Sequence, residues 1–256
     1  MNNPLGAKRR FLRLAAASAG ALFLTGCDRL SKTEWLPRLL AQGERLSYGA
    51  FRLVGSRRTM AQEFTEADLS PSFRSNGTSL PASVAYQALS TNGFVDWALE
   101  VGGLVEQPVK LTLAQLRAMP SRTQITRHDC VEGWSAIGKW TGVPLSEVLH
   151  LARPRPEARF VVFHCADPMD GNTNFYYESI DMDDAWHVQT ILAYELNGTT
   201  LPIANGAPIR VRIERQLGYK MAKYIMRIEL VESFANIAGG NGGYWEDQGY
   251  QWYAGI

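Results

Sequence analysis

Arg122-Thr123-Gln124-Ile125-Thr126-Arg127-His128-Asp129-Cys130-Val131-Glu132-Gly133-Trp134-Ser135 is the stretch that decides how this chain folds and what it can do. Residues 122–127 alternate in character, the period of a β-strand, so Cys130 is expected at the strand end or just beyond it. A cysteine there has four readings: nucleophile, metal ligand, half of a disulfide, or core. A thiolate nucleophile needs a base, and His128 stands two residues back, on the same face of a strand. Soft metals favour thiolate as well. The residues alone leave these alternatives open.

Working outward, Trp97, Leu99 and Val101 alternate with Ala98 and Glu100, a strand that ends at Gly102-Gly103. Thr112 to Met119 reads as a short helix capped by Thr112 and stopped by Pro120, and Pro144 to Leu151 as another. Phe160 to Cys165 reads as a buried strand, Ser179 to Trp186 as a short helix, and Asn197-Gly198 as a hairpin turn. Ile209, Val211 and Ile213 alternate with Arg210, Arg212 and Glu214, which predicts a half-buried strand with the charges outward. Lys223 to Val231 supplies a further strand. Strands outnumber short helices, the signature of an α+β domain with mostly antiparallel sheets.

The composition of the 256-residue chain, 46% hydrophobic and 20% charged, is globular, and a net charge of +1 argues against a nucleic-acid partner. The N-terminus is different. Lys8-Arg9-Arg10-Phe11-Leu12-Arg13 precedes an apolar run, Leu14 to Leu24, that is too short to span a bilayer as a mature helix. This predicts an export signal, with the paired basic residues pointing to the twin-arginine route. Leu24-Thr25-Gly26-Cys27 resembles a lipoprotein box, which makes Cys27 the acylated first residue of the mature chain. The expected organisation is therefore residues 1–27 as signal, 28–75 as a tether with a short helix around Trp35–Leu40, 76–235 as the main domain and 236–256 as a tail. Pro37, Gly43, Gly49 and Gly55 are read as breakers in the tether. The tail is rich in glycine and aromatics, from Gly239 to Tyr253, and suits a lip over a pocket, a docking surface or a cover for a sheet edge. Within the folded part only Cys130 and Cys165 remain, a number that admits one disulfide.

Arg127–Trp140 resembles the signature of the sulfite-oxidase family. The likeness continues in order through Trp140-Thr141-Gly142-Val143-Pro144-Leu145, Asn205-Gly206-Ala207-Pro208 and Gly218-Tyr219-Lys220, covering roughly residues 75–232. The resemblance implies a sulfite-oxidase-like molybdopterin-binding fold and a Mo-molybdopterin cofactor. Its metal takes two dithiolene sulfurs from the pterin and one sulfur from the protein, here Cys130. It further implies cofactor contacts at Asn76, Cys165, Asn205, Arg210, Met221, Ala222 and Lys223, and a substrate side near His128 and Tyr219. Cys165 departs from relatives that carry threonine there. The chemistry agrees at Asn205 and Arg210, since an amide and a planar guanidinium engage phosphate or pterin edges. The implied activity is oxygen-atom transfer, reducing a sulfoxide or oxidising a sulfite-like anion. Electrons would pass to or from a separate partner, a cytochrome or a membrane haem subunit. With the signal and Cys27, the expected location is the periplasmic side of the membrane, through a lipid anchor. Without the resemblance, the residues fit equally a cysteine-nucleophile hydrolase built on Cys130 and His128, or a surface lipoprotein without catalysis.

Overall fold

A computed structural model describes residues 33, 35–54, 58–170 and 174–256. Residues 1–27, where an export signal and the acylated Cys27 are expected, lie outside the described residues. The chain divides into two compact units, Met1–Leu53 and Val54–Ile256. The described part of the first is one helix, α1 (Trp35–Val54). It is far longer than the short helix expected around Trp35–Leu40. Pro37 sits in its first turn, where a missing N–H is tolerated, and the two interior glycines weaken the helix without ending it.

The second unit holds two five-stranded sheets, with helices α2 (Val84–Thr91) and α4 (Leu145–Ala152) among their connections. The first has the order β2 (Val109–Thr112), β1 (Ala98–Gly103), β10 (Ile225–Val231), β5 (Phe160–Asp170), β6 (Asn174–Asp181). Only β1 and β10 pair in parallel; the other pairs in this sheet are antiparallel. The second has the order β3 (Arg122–Cys130), β4 (Trp134–Pro144), β7 (Ile191–Leu196), β8 (Thr199–Thr200), with β9 (Arg210–Arg212) also paired to β7. Leu99, Phe163, Ile228 and Leu230 of the first sheet share one core with Val143, Leu192 and Val211 of the second. The fold is the α+β arrangement expected from the sequence.

Local chemistry sets the turns. Thr112 caps α3 (Leu113–Ala118) by accepting from the Gln115 N–H at 3.2 Å, while the Gln115 side chain returns a bond to the Thr112 N–H at 2.8 Å. Asn197 and Gly198 both take positive φ, 52° and 77°, the pair a tight hairpin between β7 and β8 requires.

Three expectations are corrected. Ser179 to Asp181 belongs to strand β6, and only Met182–Ala185 is helical (α5), because Asp181 caps that turn through the Asp184 N–H at 2.8 Å. Residues 59–75 do not behave as tether: Phe64 N–H bonds Ile125 O at 2.8 Å, Ser70 N–H bonds Ile137 O at 3.1 Å, and Phe73 packs edge-on against Trp140 at 5.0 Å. The third concerns β9. It is buried on both faces, with Arg210 and Arg212 at 0% exposure. Their guanidiniums lie over the Trp140 ring, 5.2 and 4.4 Å from its centre, so the indole supplies the covering surface that a solvent face would otherwise provide. Trp140→Ala removes a fully buried indole and uncovers two cations, and is expected to lower stability by about 3–5 kcal/mol in urea denaturation.

Candidate active site

Cys130 ends β3, and the hairpin to β4 turns through Gly133 at φ 84°, its N–H bonded to Cys130 O at 3.0 Å. This turn leaves the Cys130 side chain half-buried in the wall of a cleft of about 200 Å³. Cys130 and Cys165 are both free thiols, so the disulfide reading falls. Burial pushes the Cys130 thiol pKa up, against the pull of Arg210 and Arg74. Asp129 is occupied by Ser135 Oγ at 2.5 Å and Arg127 at 3.0 Å.

His128 does not line the cleft. Its ring is fully buried against Gly218, where a Cβ would collide with it, and beside Trp134 and Phe73. Arg212 donates to Nδ1 at 2.9 Å, which puts the proton on Nε2; that atom has no partner. Burial, reinforced by Arg212, Arg210 and Lys223, holds the imidazole pKa well below its usual value. No hydrogen bond joins it to Cys130, so the base of a cysteine–histidine pair is missing among the described residues.

Behind the cleft wall, positive charge accumulates. Arg212 is neutralised by Glu214 at 3.0 and 2.7 Å. Arg210 is not: it donates only to the backbone carbonyls of Asn205 and Met221, both at 3.1 Å, and its Nε has no partner. Burial, and then Arg212, lower its pKa to about 9. Lys223 spends its three protons on the carbonyls of Asn76, Thr78 and Ala204, at 2.5, 2.6 and 3.1 Å, and binds no carboxylate. Burial, and then Arg210, lower its pKa to about 7. Asn205 Nδ2 and Asn76 Oδ1 are buried without partners, and the N–H groups of Ala222 and Lys223 find no acceptor among the described residues. Several donors and two cations therefore face one region with too little negative charge to satisfy them.

The mouth of the cleft is lined by the more exposed Met169, Tyr176, Trp245, Tyr250 and Glu132, with the buried Tyr219, Met221 and Asp167 deeper in. Tyr219 donates its hydroxyl to Gln251 O at 2.6 Å, and Tyr176 donates to Tyr219 O at 2.6 Å. The tail helix α6 (Tyr244–Asp247) is held from below by a buried triad in which Lys220 bonds both Glu178 and Glu246. Burial raises the Glu178 pKa well above the carboxylate range, against the pull of Lys220. The ammonium, although disfavoured by burial, is kept above its ordinary pKa by the two carboxylates.

Of the expected site residues, Asn76, Cys130, Tyr219, Met221 and Lys223 line the cleft. Asn205, Arg210 and Ala222 lie in the buried layer that Arg210 bridges through Asn205 O and Met221 O. His128 sits in that layer too. Cys165 does not line the cleft: it is buried in the core, its Sγ 4.0 Å from Phe163 O. Sequence reading missed Thr78, Asp167, Met169, Tyr176 and Tyr224 as lining residues. The aromatic tail carried a legible signal, and two of its residues, Trp245 and Tyr250, form part of the mouth.

Residues 87–236 match the family model described as the oxidoreductase molybdopterin binding domain. The chain is 38% identical over 254 residues to a putative protein-methionine-sulfoxide reductase subunit, YedZ1, of Azospira oryzae, covering 98% of this chain and 88% of that one. It is 40% identical over 161 residues to the protein-methionine-sulfoxide reductase catalytic subunit MsrP of Xanthomonas axonopodis pv. citri, covering 59% of this chain and half of that relative. Among solved structures, the sulfane dehydrogenase SoxCD of Paracoccus pantotrophus aligns over 54% of this chain and 39% of its own, with a TM-score of 0.48 and 24% identity.

The depressed Lys223 pKa has a measurable consequence in cofactor-free protein. Between about 7 in the fold and about 10.4 in the unfolded chain, only the unfolded chain carries this proton, so stability rises with pH across that window. In urea titrations, the advantage of the wild type over Lys223→Met is expected to widen from pH 7 to pH 10; a constant gap would show that this ammonium is not depressed.

Proposed function

The chain belongs to the family of oxidoreductases that bind molybdopterin, and from that premise we propose that it reduces sulfoxide sulfur, with Cys130 Sγ as the protein ligand to molybdenum. The observation that carries this reading is the free thiol of Cys130 in the wall of a cleft backed by buried cations that lack counter-ions.

The residues fit the cofactor. An anionic, phosphate-bearing pterin would give Arg210 Nε, Asn205 Nδ2 and the Ala222 and Lys223 amides the acceptors they lack, and would offer a donor to Asn76 Oδ1. Its negative charge would offset Arg210 and Lys223 and restore their ordinary pKa values. When bound, the cofactor supplies two-electron oxygen-atom transfer; the protein positions it and shapes what reaches it. Coordination also accounts for Cys130 better than nucleophilic attack does, because burial disfavours a free thiolate and no base contacts it.

The cleft favours a sulfoxide over a sulfite-like anion. Methionine and aromatic side chains pack against a thioether chain, whereas Glu132 and Asp167 would repel an oxyanion. A methionine sulfoxide residue in a peptide or protein meets this description. Its reduction takes two electrons and two protons and releases water, and Tyr219, a residue of the cleft wall, would give a hydrogen bond to the sulfoxide oxygen once its hydroxyl leaves Gln251 O. His128 acts indirectly: held neutral beneath the cleft, it accepts from Arg212 through Nδ1. The electrons come from a separate redox partner, a cytochrome or a membrane haem subunit. Export through the N-terminal signal and acylation at Cys27 would place the enzyme on the periplasmic face of the membrane.

Protein made in a host that produces the cofactor is expected to contain about one molybdenum per chain by elemental analysis. It should also reduce methionine sulfoxide in a peptide with a reduced viologen as electron donor. Cys130→Ala should lose both metal and activity; an active, metal-free preparation overturns the proposal. Labelled palmitate is expected to enter the protein and to be lost in Cys27→Ser, and the absence of labelling in the wild type would remove the lipid anchor.

A further inference from the structure

Helix α1 carries a row of apolar side chains that are exposed among the described residues. At about 100° per residue, Trp35, Leu39, Leu46, Ala50 and Leu53 fall within an arc of roughly 60°. All five are exposed, with Leu46 at 73% and Leu53 at 87%. The positions Arg38, Arg45 and Arg52 recur every seven residues and form a second row beside the first, against a single acid, Glu44. Where its position is described, the Arg52 guanidinium lies 5.2 Å from the centre of the Tyr48 ring. The helix is not long and apolar enough to cross a membrane.

We propose that α1 lies flat in the interface of an anionic phospholipid bilayer, with its leucine row among the acyl chains and its arginine row at the phosphates. Shape and charge select this occupant. The apolar row runs the length of the helix, about 27 Å, along one straight line, which suits a plane better than a concave protein groove. Three cations at even spacing meet a continuous negative surface without needing matched partners. Gly43 and Gly49 make the helix weak by itself, so burying its apolar row would also consolidate it. This is independent of the sulfoxide chemistry, and it adds to Cys27 acylation a second, non-covalent hold that orients the segment following the anchor.

Amide hydrogen exchange of the full chain, read on peptides from residues 35–54, tests this locally, whatever the rest of the chain does at the membrane. Adding vesicles with roughly 30% phosphatidylglycerol is expected to slow exchange in this segment about tenfold or more, and pure phosphatidylcholine vesicles to slow it far less. Raised salt should reverse the protection. The triple variant Leu39→Gln, Leu46→Gln, Leu53→Gln should lose it, while exchange in β10 and activity stay unchanged. The triple variant Arg38→Gln, Arg45→Gln, Arg52→Gln, which keeps the apolar row, should respond alike to both vesicle types. Unchanged exchange on anionic vesicles, or equal protection by neutral ones, overturns the proposal. So does protection that appears without vesicles as protein concentration rises, which would assign the row to a second copy of the chain.

Discussion

The burial of Arg210 and Arg212 on the face of Trp140 is the constraint around which the catalytic unit is organised. Two guanidiniums taken wholly out of water would be strongly destabilising unless something answered their charge. Arg212 is answered by Glu214 and shares a hydrogen bond with His128. Arg210 is answered only by carbonyl dipoles, which leaves a partly compensated cation at the end of a rigid strand. The same pressure is visible in Lys223, whose pKa falls to about 7 for want of a carboxylate. A fold that tolerates this arrangement is built for an anionic guest. The unused Arg210 Nε and Asn205 Nδ2 point to the same conclusion from hydrogen bonding rather than from charge.

Where a residue's environment is set by its neighbours in sequence, the sequence showed it. The β3 strand leading to Cys130, the Thr112–Gln115 capping box and the Asn197-Gly198 hairpin all depend on spacings of four residues or fewer, and all were readable. Arg210 and Arg212 were not, because an Ile-Arg-Val-Arg-Ile alternation looks the same whether its polar face meets water or an indole seventy residues away. Ser179 to Asp181 failed for a related reason: the helical character of Met182–Ala185 was extended backwards across a strand whose partner, Phe160 to Val162, is about twenty residues distant. Most of the candidate site was reached only through the resemblance around Cys130; spacing alone left nucleophile, ligand, disulfide and core open. The cleft's aromatic mouth was partly legible in the tail, but Tyr176 and Asp167 carried no local mark.

The mouth and the buried layer are built by different means. Behind the cleft wall, donors are held by backbone carbonyls at short range. At the mouth, Trp245 and Tyr250 come from the tail, and their position depends on Lys220 bridging Glu178 and Glu246 in a region closed to water. A buried network with one ammonium and two carboxylates is sensitive to any lost member. The tail is thereby tied to β6 through Glu178, which pairs with Gly243 and shares Lys220 with Glu246.

Strand β10 is the last of its sheet to be synthesised, yet it lies in the middle, parallel to β1 and antiparallel to β5. On the ribosome, the β1–β2 and β5–β6 hairpins can form early, but neither can join the other until residue 231 has emerged. The segment 218–224, which supplies Tyr219, Met221 and Lys223, immediately precedes that strand. Assembly of the sheet and placement of Tyr219, Met221 and Lys223 are thus linked late events, with Trp245 and Tyr250 added after them, so a nascent chain interrupted before β10 would hold neither a finished core nor a place to receive its cofactor.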